Sequence, residues 1–246
     1  MSDVRLCHLY PREMNIYADR GNIAVLRQRL AWRGMALEVA EAGPGDEVDP
    51  SRHDLYYLGG GQDRDQAVVA DDLVRTKAEA LRAATADGSV ILAVCGGYQL
   101  AGHGYTALDG TRMPGIGILD LATVAGTTRL IGNIAIEAHI AGKRGLVVGF
   151  ENHAGRTVLG PEATPLGRVV AGHGNNGEDG HEGAIQGHVV GTYLHGPLLP
   201  KNPWLADILL GWALEHRFGR PIALEPLDDT LEREAREVAA ARALSS

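Results

Sequence analysis

The chain has 246 residues, of which 45% are hydrophobic and 5% aromatic, and its formal net charge is −8. This is long enough for one sizeable α/β domain with a buried core, and no Lys/Arg run forms the basic patch that nucleic acid or an anionic membrane would need. No apolar stretch approaches the roughly 20 residues of a membrane span, and the start MSDVRLCHLYPREMN lacks a signal-peptide pattern, so a cytoplasmic protein without membrane insertion is expected. In chain order, Val4–Tyr10 predicts a strand, and Asn22–Arg33 a helix with Ile23, Leu26 and Leu30 at helical spacing. Ala36–Ala40 and Asp54–Leu58 predict strands, the second stopping at Gly59-Gly60-Gly61. Asp71–Ala86 predicts a helix with acids in its first turn, and Val90–Val94 a short buried strand that ends at Cys95. This alternation predicts a mainly parallel sheet flanked by helices.

From about Thr123 the texture changes to short strands and Gly-rich turns. Leu130–Glu137, Leu146–Asn152, Val169–Ala171 and Val189–Tyr193 predict an antiparallel extension on the same domain. Pro203 opens a helix to His216, and Leu231–Leu244 reads as a charged, Ala-rich helix suited to docking or capping. No repeat or linker is evident, so the expectation is one domain over 1–246, with a core at about 4–216 and a helical tail at about 227–246.

The chemistry concentrates on Val94-Cys95-Gly96-Gly97-Tyr98-Gln99. An apolar strand meets a cysteine, two glycines and a helical start. This is the thiol form of a nucleophile elbow, a sharp turn that exposes the nucleophile above the sheet. The glycines leave room where the turn crowds neighbouring backbone. Cys7, in mid-strand, reads instead as a buried structural thiol. A nucleophilic cysteine needs a base. Among ten histidines, His195 stands out because Thr192-Tyr193-Leu194-His195-Gly196-Pro197 delivers it from an apolar strand and then breaks. A surface-loop histidine is the competing reading of that segment alone.

Together these two motifs resemble the cobyric-acid-synthase-like (CobB/CobQ-like) branch of class I glutamine amidotransferases, as does the turn Gly59–Asp63. Phe150-Glu151-Asn152-His153-Ala154-Gly155-Arg156-Thr157 and Gly174–Gly180 draw the likeness toward the GatD-type glutaminase subunits within that branch. The resemblance runs to about residue 215 and implies a flavodoxin-like class I amidotransferase fold. It implies Cys95 as nucleophile, His195 as general base, and Arg129 as a substrate-binding arginine whose fork suits the α-carboxylate of L-glutamine. Gly60 and Gly61 would supply an oxyanion-hole N–H beside the one that follows Cys95. Read from residue type alone, Arg129 is equally a surface salt bridge and the glycines a tight turn. Gln99, one helical turn after Cys95, either faces the glutamine or is solvated on the helix surface.

His195 is followed by Gly196-Pro197, so the carboxylate of the common His-x-Glu pattern is missing and the third member of the site is unassigned. The loop from His173 to Glu182 carries His and acidic residues, but its spacing matches no tight zinc pattern, so no metal is expected. The chain has no Walker or Rossmann fingerprint. The resemblance therefore implies no cofactor here, with ATP and any metal on a separate MurT-like ligase. That ligase would amidate the D-glutamate of the lipid II stem peptide with ammonia passed from this subunit. Corrinoid amidation and a DJ-1/peptidase-type Cys hydrolase are the alternatives.

Overall fold

A computed structural model describes residues 3–15, 20–61 and 63–245. The expected turn member Gln62 lies outside them. The elements are β1 (Val4–Leu9), α1 (Arg20–Ala31), β2 (Leu37–Ala42), β3 (Leu55–Leu58), α2 (Asp63–Asp72), α3 (Ala78–Ala86), β4 (Val90–Val94) and α4 (Gly96–Ala101). There follow β5 (Gly104–Thr106), β6 (Arg112–Pro114), β7 (Leu121–Ile140), β8 (Lys143–Leu159), β9 (Gly167–Ala171), β10 (His181–Glu182), β11 (Ala184–Gln186) and β12 (Val189–Thr192). Helices α5 (Leu198–Lys201), α6 (Pro203–Phe218) and α7 (Thr230–Leu244) complete the chain.

Among the described residues the strands form two sheets of six. The first runs β11-β12-β4-β3-β1-β2, with every pair parallel except β11–β12. Its central strands are apolar on both faces: β3 (LYYL) and β4 (VILAV) are buried at every position, as expected for a parallel sheet covered by helices. The second sheet runs β10-β9-β7-β5-β6, with β8 paired to β7.

Three expectations change. The helix expected from Asp71 starts at Asp63 and is interrupted by a π turn over Leu73–Lys77. Asp71 and Asp72 therefore close a helical segment instead of opening one. The extra residue turns Lys77 inward, where its Nζ meets Asp72 at 2.8 Å and lies 4.7 Å from the centre of the Tyr10 ring. A buried ammonium requires such partners. Second, the separate short strands expected from Leu130 and Leu146 belong to one hairpin, β7 and β8, of 20 and 17 residues. The register shift between Ala125 and Leu130 bends the ladder without ending it.

Third, Val189–Thr192 lies in the first sheet, parallel to β4, and not in the antiparallel part. Its alternation is absent because both of its faces are buried. The C-terminal helix caps the second sheet: Ala240 and Ala243 pack on Ala135 and Val148. The loop before it is held by Asp229, which together with Asp207 engages the buried Arg29 guanidinium at 2.6–2.7 Å. No helix among the described residues is long and apolar enough to cross a membrane.

Candidate active site

Strand order brings the candidate residues together. Leu58 of β3 pairs with Ala93 of β4, and Val94 pairs with Thr192 of β12. The Gly59–Gly61 turn, Cys95 and the segment leading to His195 thus leave three neighbouring strands at one carboxyl end. This is where open α/β sheets place their chemistry.

Cys95 adopts φ 53° and ψ −108°, a conformation rare for a residue with a side chain. It is forced by the reversal from β4 into α4 and held by two bonds: Cys95 N–H donates to Thr192 O at 2.8 Å, and Cys95 O accepts Gln99 N–H at 3.1 Å. The turn closes only because Gly97 has no Cβ, since one there would collide with Leu58 O. Gly97 N–H donates to Gly59 O at 3.1 Å, which ties the elbow to the glycine turn after β3. Gly60 is buried and Gly61 half-buried beside it. Cys7 is the buried thiol that was expected; burial pushes it up to about 12, out of reach as a thiolate.

His195 is fully buried, which removes the surface-loop reading. Its main chain forms an antiparallel bridge to Phe150 of β8, with His195 N–H to Phe150 O at 2.8 Å and the reciprocal bond at 3.2 Å. The second sheet therefore closes over the carboxyl end of the first.

Arg129 stands on β7 at the register shift. It reaches across to β8, donating from Nε to Asn152 Oδ1 at 2.8 Å and from Nη2 to Asn152 O at 2.9 Å. It is exposed and, among the described residues, makes no ion pair. Asn152 lies two residues from the Phe150 bridge, so the guanidinium is held near the middle stretch of β8 that meets His195.

Gln99 is neither solvated nor directed at an open pocket. It is buried, with Oε1 accepting Gln66 Nε2–H at 3.0 Å and Nε2 donating to Tyr193 Oη at 3.1 Å. The reason is β8: Gly155 passes so close that a Cβ there would lie 2.5 Å from Gln99 Nε2 and 2.6 Å from Tyr193 Oη. Gln99 is thus a strut between α2, α4 and the histidine segment.

Sequence reading missed the groups that surround this strut. Tyr193 shares a hydrogen bond with Thr157 Oγ1 at 2.7 Å and stacks on His153 with ring centres 3.5 Å apart. Burial holds His153 below its ordinary value, so it is neutral near pH 7. Glu151, also buried, accepts the His173 and Gly174 N–H groups at 2.7 and 2.9 Å and anchors the Gly-rich loop. Among the described residues no three His, Cys, Asp or Glu side chains gather as a metal site. The signal that existed was the pair Glu151 and His153, which sequence spacing alone left ambiguous.

Glu182 is the other missed acid. It is fully buried, and that burial raises its carboxyl to about 7 against the opposing bonds from Thr192 and Tyr193. A raised carboxyl has a definite sign in linkage. Between about 4.5 and 7 the folded state keeps a proton that the unfolded chain has released, so stability falls as pH rises through that window. Relative to Glu182→Gln, the parent should lose on the order of 2 kcal/mol across it. Urea unfolding of both proteins at about pH 5 and about pH 8 checks this, and parallel curves would refute it.

A family model described as the CobB/CobQ-like glutamine amidotransferase domain matches residues 5–203. The chain belongs to this family. Within it, the chain is 40% identical over 243 residues to the GatD subunit of lipid II isoglutaminyl synthase (glutamine-hydrolyzing) of Staphylococcus aureus (strain N315), spanning 99% of this chain and 97% of that one. The GatD subunit of Streptococcus pneumoniae (strain ATCC BAA-255 / R6) is 39% identical over 235 residues, spanning 95% of this chain and 89% of its own. The fold is that of class I glutamine amidotransferases. A solved structure of PurLQS from Thermotoga maritima superposes with a TM-score of 0.55 at 18% identity, over 89% of this chain and 97% of that one. This member of the CobB/CobQ-like family is thus a glutamine amidotransferase.

Proposed function

We propose that this chain is the glutaminase subunit of a lipid II isoglutaminyl synthase, with Cys95 and His195 as its catalytic pair. The observation that carries the pair is the β4–β12 register, Val94 opposite Thr192, which sets both residues at adjacent strand ends. Cys95 Sγ attacks the side-chain carbonyl carbon of L-glutamine while His195 takes the thiol proton. The carbonyl oxygen becomes an oxyanion facing backbone donors, the Gly96 N–H on one side and the Gly60 or Gly61 N–H on the other. Gly97 N–H is committed to Gly59 O and is not among them. His195 returns its proton to the departing nitrogen, which leaves as ammonia. Water, activated by the same imidazole, then cleaves the thioester to glutamate.

Ammonia formed here needs an activated acceptor, and activation of a carboxylate needs ATP. The likeness to GatD subunits over almost the whole chain supports a separate ATP-dependent, Mur-ligase-like partner that binds lipid II and amidates its D-glutamate. Amidation of lipid II by the purified pair, driven by glutamine, tests this. A pair that amidates lipid II only with added ammonia would refute it.

Arg129 is assigned to the α-carboxylate of glutamine. Asn152 fixes its orientation and, among the described residues, no acid pairs with it, which suits a fork awaiting an anion. Arg129→Ala should raise KM for glutamine roughly tenfold or more with a smaller change in kcat, and lysine should restore little of it because the bidentate geometry is lost. Steady-state glutaminase kinetics check this, and an unchanged KM would remove Arg129 from the binding site.

A further inference from the structure

His195 lies three residues beyond β12, where the chain no longer pairs with β4. The direction of its side chain depends in part on what holds the backbone from Thr192 to His195. On one side the Phe150 bridge does so. On the other a single buried carboxylate does. Glu182 Oε1 accepts the Thr192 hydroxyl at 2.5 Å and the Tyr193 N–H at 2.8 Å. Thr192 Oγ1 in turn accepts the Leu194 N–H at 3.0 Å. One oxygen thereby sets two consecutive residues, and through the hydroxyl a third.

Glu182 is itself fixed to the nucleophile side. It pairs with Gly167 across β9–β10. The next residue, Gly183, is held by Asn175: Gly183 N–H donates to Asn175 Oδ1 at 2.9 Å, and Asn175 Nδ2 donates to Gly183 O at 3.0 Å. The same Asn175 Oδ1 accepts the Tyr98 hydroxyl at 3.1 Å, and Tyr98 lies on α4, three residues after Cys95. A continuous set of bonds therefore runs from the helix that starts at Cys95, through the loop, to the segment that ends at His195. Every side chain in it is buried.

We propose that Glu182 is a positioning residue for His195: by clamping Thr192 and Tyr193 it fixes the direction in which the imidazole is presented to Cys95. This rests on the reading of Cys95 and His195 as the catalytic pair. Glu182 acts through the backbone and need not touch the imidazole. The arrangement also gives the Gly-rich loop a function, since that loop delivers both Asn175 and Glu182. Geometry matters here because a displacement of about 1 Å at a reacting group can cost about a hundredfold in rate.

The test measures glutamine hydrolysis by the chain with its ATP-dependent partner present. Glu182→Ala should lower kcat roughly 30-fold, with KM within about twofold, because the clamp orients the base and does not bind substrate. Glu182→Gln keeps the accepting oxygen and should stay within about threefold of the parent. Thr192→Val removes the hydroxyl but leaves the Tyr193 bond, and should cost roughly fivefold in kcat. A Glu182→Ala protein with the parental kcat would overturn the proposal. So would a loss that Glu182→Gln fails to restore, or one that raises KM in parallel. If Glu182→Ala fails to fold, Thr192→Val decides, and a parental kcat there overturns the proposal equally. Hydrolysis that survives in Cys95→Ala would overturn the reading of the site instead, and the positioning role with it.

Discussion

Cys95→Ala should lower glutamine hydrolysis by roughly ten-thousand-fold or more, because no other group at this strand end can form the thioester. Under the proposed function, ammonia-driven amidation by the partner should persist, since Cys95 is assigned only to the release of nitrogen from glutamine. The same position carries a stability prediction of opposite sign. Its φ of 53° and ψ of −108° are strained for any residue with a Cβ. Cys95→Gly should therefore be inactive yet more stable than Cys95→Ala by roughly 1 kcal/mol, the relieved strain outweighing the added freedom of glycine in the unfolded chain. A melting curve and a glutaminase assay on the two variants measure both effects. Glutamine-dependent turnover in either would show that the nucleophile lies elsewhere.

His195→Ala should lower hydrolysis by roughly a hundred- to ten-thousand-fold, because the proposed mechanism gives one imidazole the work of base toward the thiol, acid toward ammonia and base toward water. The fold should survive. The bonds between residue 195 and Phe150 are main chain to main chain and outlast any change of side chain. Labelling of Cys95 by a reactive glutamine analogue should slow as well, which separates loss of the base from loss of substrate binding. Arg129→Ala should behave in the opposite way, with the deficit in KM. A His195 variant that labels at the parental rate and hydrolyses glutamine normally would assign the base to another residue.

Much of the first sheet was legible because its signals are local. An apolar run that stops at Gly59-Gly60-Gly61, and another that stops at Cys95-Gly96-Gly97, each state a strand and its end within a few residues. The elbow was legible for the same reason: the glycine that admits the backbone of Leu58 is two residues from Cys95. Arg129 became a candidate only through family likeness, since residue type alone also fits a surface salt bridge. Its exposed setting against Asn152 comes from the pairing of β7 with β8.

Other features could not be read locally. The π turn that buries Lys77 answers to Tyr10 and Asp72, and Tyr10 is far away in the chain. The length of the β7–β8 hairpin was hidden because a register shift and a strand end look alike in sequence. Gln99 was a helix-surface candidate until Gly155 of β8 closed over it. Glu182, in a hydrophilic Gly-rich loop, has the sequence context of a solvated acid, and only the fold buries it under Thr192 and Tyr193.

What the sequence by itself determined is the sharp turn at Cys95, because strand ending, glycine spacing and helix start are encoded in contiguous residues. What only the tertiary structure decided is which histidine-bearing segment lies beside that turn and what holds its backbone. A parallel strand finds its neighbour through a long crossover, so the placement of β12 beside β4, 95 residues or more along the chain, is set by burial of the whole sheet. Two groups that hold the segment ending at His195, the main chain of Phe150 and the carboxylate of Glu182, come from the second sheet and its loop. No local pattern connects them to the strand they support.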